Sequence, residues 1–515
     1  MCRGANSEIY GMVYMKVILT IVNSLLFLAA SPLETGAQIT VSGDVTGVWT
    51  SDNNPYTVTG SVNIVDSLII EPGVIVKFDF HSGGSHSIFA DENDKFVARG
   101  TEFDPVFFLP YVGGQAPGSW GSLHFSGSGN DDTLRHCVIR YGTNGVYCSN
   151  SNPTINNCEI YEHSSHGVYG YDSDIQIEDC VIHNNQYHGI CLKNHHDRHG
   201  ARIVGCDIYE SKYSGIAFFG YDSIGSVSAS CEIERCRVYD NPSNGVHVVS
   251  GTYWIGGTAH SLAKISNCTI VGNNAGVRAF AYRGYAEARV TNSIVAFNET
   301  YGVVNEDSES HIEARDVGYS CFWHNGIGNF FAIRSIPAGF GANGDFQNAN
   351  GDSCDVNFNM YSDPSLTDLS THDYSLQLES KCIDAGTSDV DGELVMDPDG
   401  TLPDIGALHY DQLSDAETAN SILEVYVFPV PASARSDQLT FVVRSDGGSA
   451  VAGIRVYDGH YSKVAEFDHR LRGGSNQISY DISLLAPGVY LYEVEVHSDA
   501  GRTLSVDRSK FIVVP

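Results

Sequence analysis

Cys180-Val181-Ile182-His183-Asn184-Asn185-Gln186-Tyr187-His188-Gly189-Ile190 decides how this chain folds. It reads as two short alternating strands around a polar turn, and it recurs. Cys137-Val138-Ile139, Cys158-Glu159-Ile160, Cys206-Asp207-Ile208, Cys236-Arg237-Val238 and Cys268-Thr269-Ile270 repeat its start. Ser293-Ile294-Val295 continues the series and Cys321-Phe322-Trp323 closes it, with steps of 21, 22, 26, 30, 32, 25 and 28 residues. A glycine before Val or Ile follows each Cys or Ser anchor up to 293 by 8 or 9 residues, at 145, 167, 189, 215, 245, 276 and 302. The Cys-to-Gly half is thus nearly constant, and the length variation falls between Gly and the next anchor. Constant and variable portions of a repeat are read as packed strands and exposed loops. No window holds a 3.6-residue apolar period, so few helices are expected. Short strands at a 21–32-residue period predict a coil that stacks on its neighbour, with parallel sheets running along a right-handed solenoid.

This reading accounts for six of the 13 cysteines, one per coil. Equivalent Cys would stack as a column of small buried thiols. Their side chains point in parallel, which strains any bridge between them, and Ser293 fits a size requirement better than a redox one. Cys354 and Cys382 lie outside the column and are the expected disulfide. A second column, five residues after the anchor, holds Asn185, Asn241, Asn273 and Asn298, able to hydrogen-bond along the solenoid at tight turns. His166 and His188 both precede a repeat glycine and are expected to stack on each other as turn packing.

With 29 Lys plus Arg against 62 Asp plus Glu, the net charge is −33. Residues 421–515 hold 9 basic and 11 acidic side chains, a net of −2, which leaves −31 for residues 1–420. That balance argues against nucleic acid and anionic membrane surfaces as partners, and makes a strongly anionic polymer an awkward ligand. Lys16, the apolar run Val17–Ala30 and the small residues ending at Ala37 read as a signal peptide, too short to span a bilayer. No other segment reads as transmembrane once the signal is removed.

The coils from about Trp120 to Phe331 resemble right-handed parallel β-helix proteins of the pectin-lyase-like superfamily. Val58-Thr59-Gly60, Leu68 to Val74 and Phe96 to Thr101 look like the opening coils of bacterial surface members, and Gly118-Ser119-Trp120-Gly121 is similar to the motif that follows them. Asp363-Pro364-Ser365-Leu366, Asp373-Tyr374-Ser375-Leu376, Cys382-Ile383-Asp384-Ala385-Gly386, Asp397-Pro398-Asp399-Gly400 and Asp404-Ile405-Gly406-Ala407 resemble the end of the choice-of-anchor β-helix proteins, where they would cap the solenoid. Val427-Phe428-Pro429-Val430-Pro431-Ala432, Ile454 to Gly459, Leu485 to Tyr492 and Lys510 to Val514 follow the order of C-terminal sorting domains of type IX secretion, with Val430 where the family usually has Asn. The expected organisation is a signal peptide at 1–37, opening coils at 38–120, the repeat core at 121–331, the closing coils and cap at 332–411, a linker at 412–423 and an Ig-like β-sandwich at 424–515. The fold class is all-β.

Activity is less legible than architecture. Of the strings shared by the glycosidase members, only His-Gly occurs, at 166–167, 188–189 and 199–200, and it reads more simply as the repeat glycine with a variable neighbour. No basic pair of the lyase type recurs on adjacent coils. The lengthened Gly-to-Cys halves offer Lys193, His195, His196, Tyr221, Asp222, Tyr253, Trp254, Tyr282 and Arg283, with Asp197, Arg198, His199, His260 and Tyr285 beside them. Coils in register would crowd these loops on one side, where aromatic rings could stack on sugars. Asp389-Val390-Asp391-Gly392 and Asp397-Pro398-Asp399-Gly400 could offer oxygen ligands to calcium but lack the EF-hand pattern, and Asp-Gly turn chemistry explains them; no cofactor is expected. The leading reading is an exported, non-enzymatic surface or matrix protein of a Gram-negative bacterium that binds glycan, with the secretion machinery as partner of its last domain. The rivals are a polysaccharide lyase or glycoside hydrolase, and a structural spacer or adhesin.

Overall fold

The computed structural model describes residues 39–410, apart from 80–84, 112, 114, 128–131, 223–225, 253–257, 283, 307–315, 334–335, 342, 345, 391–392, 395 and 398–400, and the strands of 424–514 with a few adjoining residues. The signal-like segment 1–37 and the linker lie outside the described residues. The chain divides into two compact units, one ending at Tyr410 and the next beginning at Asp411.

The first unit is a right-handed parallel β-helix. Each coil contributes a strand to three parallel sheets. Sheet 1 includes Val146–Ser149, Val168–Tyr171, Ile190–Asn194, Ile216–Asp222, Asn244–Thr252, Ala275–Tyr282, Tyr301–Asn305 and Gly328–Ala332. Sheet 2 runs from Lys95–Arg99 through Thr133–Arg135 and Ser226–Glu234 to Val317–Gly318, and sheet 3 from Ile75–Phe78 through Cys137–Arg140 and Arg237–Tyr239 to Cys321–Trp323. The register is one for one, so like residues stack. Ile155, Ile177, Ile203, Ile233 and Ile265 form one fully buried column of sheet 2, and Ile139, Ile160, Ile182 and Ile208 one of sheet 3. The helix opens on the long strand Tyr56–Ile70, which pairs with the first strands of all three sheets, while Ile39–Trp49 covers its other edge. Trp120 is fully buried there, stacked on Phe78 at 4.1 Å with its Nε1 donating to Arg140 O.

The three repeat columns hold the coils together by contacts between coils. Within the ladder a thiol accepts the anchor amide of the coil before and points at carbonyls: Cys158 N donates to Cys180 Sγ (3.4 Å) and Cys180 N to Cys206 Sγ (3.5 Å), while Cys206 Sγ lies 3.3 Å from Val204 O. Asparagine does the same more strongly. Asn273 Oδ1 accepts Asn241 N and Nδ2, and Asn273 Nδ2 donates to Val238 O and Val271 O, all at 2.9–3.1 Å. The column also takes in His163, Ser211 and Asn325. The repeat glycines are required by space. A Cβ on Gly245 would sit 2.6 Å from Ile270 Cγ2 and 2.7 Å from Gly276 O.

Three expectations need correction. The ladder ends at Ser320, not Cys321: Ser293 N donates to Ser320 Oγ, and Cys321 pairs with Ile294. Every anchor follows a left-handed residue, with φ between 45° and 65° from His136 to Tyr319, which fixes the register. Cys354 and Cys382 are both free and buried, so the expected bridge is not formed; Cys354 Sγ points at Asp352 O, and Cys382 contacts Cys321 instead. The lengthened halves are mostly strands. Ser226–Glu234, Thr258–Ser266 and Gly284–Thr291 extend sheet 2 opposite equally lengthened strands of sheet 1. Their inward residues are small (Ala229, Ala259, Ser261, Ala263, Ala286 and Ala288 are all buried), so two sheets meet closely where loops were expected. Gly220 marks the approach, since a Cβ there would lie 2.4 Å from Ser261 Oγ.

Residues 346–410 turn back over the outside of sheet 3. The outward column Asp207, Arg237, Thr269, Ile294, Cys321 loses its charge along the helix axis as Cys354, Met360, Tyr374, Leu376, Cys382 and Ile405 come to cover it. Hydrogen bonds pin this segment to coil turns: Asn292 to Thr387, Thr269 Oγ1 from Ala407 N, and Asn267 to Asp404 O. The second unit has two sheets, Glu424–Phe428 with Gln438–Ser445 and Gly474–Asp481, and a five-stranded sheet built around Ala450–Tyr457 and Gly488–Ser498. Phe441, Val443, Ile454, Val456 and Val494 close one core between them. Pro429–Pro431 of the sorting-like motif lie outside the described residues.

Candidate functional site

Residues two and four places after each repeat glycine point outward from sheet 1 and stack into two columns. The first runs His124, Tyr147, Tyr169, Cys191, Ala217, His247, Arg278. The second runs Tyr171, Lys193, Phe219, Val249, Phe280. Beyond the second column, Tyr221, Gly251 and Tyr282 are in register at the strand ends.

The candidates Lys193, His195, Tyr221 and Tyr282 converge here. Tyr171 and His195 stack at 5.0 Å, His195 reaches Tyr221 at 5.8 Å, and Lys193 Nζ stands 5.3 Å from the Tyr221 ring centre. Gly251 leaves Tyr221 room, since a Cβ on it would meet that ring at 3.1 Å. Tyr282 is 60% exposed. His196 is turned away to pair with buried Asp172 at 3.0 Å, and the same carboxylate accepts the amides of His195 and His196. Tyr253, Trp254, Arg283 and the side chain of Asp222 lie outside the described residues. The 199–200 His-Gly pair is not a repeat glycine; it belongs to the sheet 2 strand Arg198–Val204.

Sequence reasoning missed the other half of this face. His166 and His188 do stack, at 5.4 Å and 9°. They also touch the face: His166 lies 5.2 Å from Tyr169, His188 and His247 each 6.1 Å from Phe219. Burial lowers all three imidazoles, to about 3 for His166 and about 4 for His188 and His247, with His188 pressing on His166 and Arg278 on His247. They are neutral at pH 7. His188 Nδ1 accepts Ser214 N at 3.1 Å, so its proton sits on Nε2. His166 Nδ1 and His247 Nε2 have no hydrogen-bond partner among the described residues. Arg278 pairs with Glu306. Tyr187 and Tyr213, 40% and 45% exposed and 4.2 Å apart, edge the histidine side. The signal that could have found His247 and Arg278 was their constant offset from the repeat glycine.

This face can therefore stack rings, donate and accept hydrogen bonds through neutral imidazoles, and present Lys193 as a cation on an acidic body, Arg278 being paired with Glu306. Its carboxylates Asp172 and Glu306 are engaged in holding other groups. Elsewhere, Asp397, Asp404 and His409 bring ligand atoms within 4.8 Å of one another, a set that could hold a metal. There Asp404 accepts the amides of Asp384 and Tyr410, and Asp397 accepts Asp404 N, so the cluster also ties the returning segment together. Asp391 and Asp399 lie outside the described residues. No helix among the described residues is long and apolar enough to cross a membrane.

A family profile described as the right handed beta helix region matches residues 62–228. Comparison with curated proteins returns no match. Among solved structures, the periplasmic alginate epimerase AlgG is 13% identical, with 55% of this chain and 76% of that one covered at a TM-score of 0.34. The enzymatically active domain of tailspike protein 2 of bacteriophage CBA120 is 9% identical over 88% and 72%, at 0.30. The A-module of the mannuronan C-5 epimerase AlgE4 of Azotobacter vinelandii is 14% identical over 54% and 91%, at 0.25. Superpositions this loose say nothing about the chemistry of this chain. The profile match and the three in-register sheets together make the first unit a right-handed parallel β-helix.

Proposed function

We propose that the solenoid binds an extracellular polysaccharide along the outer face of sheet 1, without turning it over. One observation carries the reading: Tyr171, His195 and Tyr221 form a continuous ring surface with Lys193 above it and Tyr282 exposed in register two coils on. Apolar ring faces flanked by hydrogen-bonding imidazoles match the alternating C–H and hydroxyl surfaces of a sugar. Export by the 1–37 segment and surface delivery through the 424–515 domain belong to the same proposal and rest on the sequence motifs quoted above.

The test is a glycan array probed with the full chain and with Tyr221→Ala/Tyr282→Ala. Binding by the parent that the double variant loses supports the reading. Binding that survives it places the glycan elsewhere, and no binding by the parent leaves the spacer role. Incubation with pectate and alginate addresses turnover: unsaturated-uronate absorbance would mark a lyase, and new reducing ends alone a hydrolase. Deletion of 424–515 should abolish surface display.

A further inference from the structure

Cys321 and Cys382 meet across the seam between the last coil and the segment that returns over it. Cys321 stands in an outward column, in register with Ile294 and Thr269, so its side chain leaves the solenoid core. It enters the apolar layer that contains Cys382, Met360, Leu376 and Ile405. Both thiols are free and fully buried in the structure, and their side chains interact with each other. The turn that holds Cys382 is kept in place by Ile405 N donating to Cys382 O at 2.9 Å and by the Asn292–Thr387 pair.

Neighbouring ladder thiols also touch, but they project side by side from paired strands, and a disulfide needs Cβ–S bonds directed toward each other with a torsion near 90°. Cys321 and Cys382 project from two layers that face each other. Cys321 Sγ and Cys354 Sγ each point at a carbonyl, of Ser362 and of Asp352 at 3.2 Å, but it is Cys321 and not Cys354 whose side chain meets that of Cys382. The geometry points to a disulfide between Cys321 and Cys382 that fastens the returning segment to the last coil.

The bond forms by exchange with a disulfide oxidant, either a small-molecule disulfide or an oxidised dithiol protein. One cysteine thiolate attacks the oxidant and releases one of its sulfurs as a thiol. The second thiolate then displaces the other. Two electrons pass to the oxidant, and the two cysteine protons leave to solvent or to the released thiolates. The Cys321 side chain beside it, and then burial, raise the Cys382 thiol well above its ordinary range, so the exchange belongs to the stage before the segment docks. After docking, the bond is sealed from reductant. An exported chain meets such oxidants outside the cytoplasm.

Trypsin separates the three cysteines, because Arg315, Arg334, Lys381 and Arg435 put Cys321 on 316–334, Cys354 on 335–381 and Cys382 on 382–435. The full chain would be refolded in a mixture of oxidised and reduced glutathione, alkylated, digested without reduction and mapped by mass spectrometry. The expected result is 316–334 joined to 382–435, two hydrogens lighter than the sum, with 335–381 alkylated. Alkylated 316–334, or any other partner for either peptide, overturns the proposal. Cys354→Ser should keep the cross-link, and its loss in that variant would equally overturn it.

Discussion

Mild acid should loosen the solenoid, and the size of the effect follows from four imidazoles. Burial lowers His163 and His166 to about 3 and His188 and His247 to about 4. The unfolded chain protonates the same rings near 6.5. A folded value below the unfolded one means that stability is full above about pH 6.5 and drains away as the pH falls toward the folded value. Between pH 7.5 and 5.5 each ring therefore costs about 1.4 kcal/mol, or roughly 5 kcal/mol for the four. Asp404 works in the opposite sense. Burial, then the neighbouring Asp397, raises its carboxyl to about 7, so it takes up a proton in the fold before the unfolded chain does, and returns on the order of 2 kcal/mol over the same interval. The net expectation is a loss of about 3 kcal/mol, read from urea unfolding at the two pH values. His163→Asn places the amide of the ladder where His163 Nδ1 now accepts Gly142 N and Nε2 donates to Ile139 O, and should shrink the loss by about 1.4 kcal/mol. A parent equally stable at pH 5.5, or a His163→Asn chain with unchanged pH dependence, would refute the reasoning.

Gly245→Ala should unfold or distort the middle coils, because the new methyl has a backbone carbonyl and a buried isoleucine inside 3 Å; circular dichroism and melting would show a loss of more than about 3 kcal/mol. Cys206→Ser should cost under about 1 kcal/mol, since Ser293 and Ser320 already fill that position, whereas Cys206→Val orphans Cys180 N and should cost about 1–3 kcal/mol in urea unfolding. Asn273→Ala removes the acceptor of Asn241 N and should cost at least as much as Cys206→Val, measured the same way. Lys193→Ala, which removes the cation over Tyr221, should weaken any glycan bound there by several-fold in titration calorimetry while leaving the melting temperature unchanged.

The repeat was legible because the solenoid asks the same thing of every coil. A thiol or hydroxyl must accept the neighbouring amide, an amide side chain must bridge carbonyls, and a glycine must leave room for the coil beyond. These demands fall at fixed offsets, so Cys, Asn and Gly recur visibly. The register slip at the end was not legible from residue type. Ser320 and Cys321 are adjacent and both chemically suitable, and only the left-handed Tyr319 fixes which one turns inward. The lengthened halves were misread as loops because their buried residues are Ala and Ser, too small to mark an apolar alternation. The candidate face was half legible. Lys193, His195 and Tyr221 stood out in unusual segments, while His247 and Arg278 were hidden inside ordinary repeats and gain meaning only from the columns they join. The Cys354–Cys382 pairing failed because distance in space is set by how residues 346–410 return over sheet 3, which no local pattern encodes.

The asparagine column has a consequence for how such a chain can change length. Asn273 satisfies an amide of the coil before it and receives its own satisfaction from Asn298 in the coil after. A whole coil copied and inserted between them would bring one acceptor and one amide, and every bond across the two new junctions would re-form. A fragment of a coil would leave both sides mismatched. The middle of the molecule is therefore a string of interchangeable bricks whose number can drift by duplication and loss, while Tyr56–Ile70 and the segment after Cys321 occur once each and hold the ends fixed.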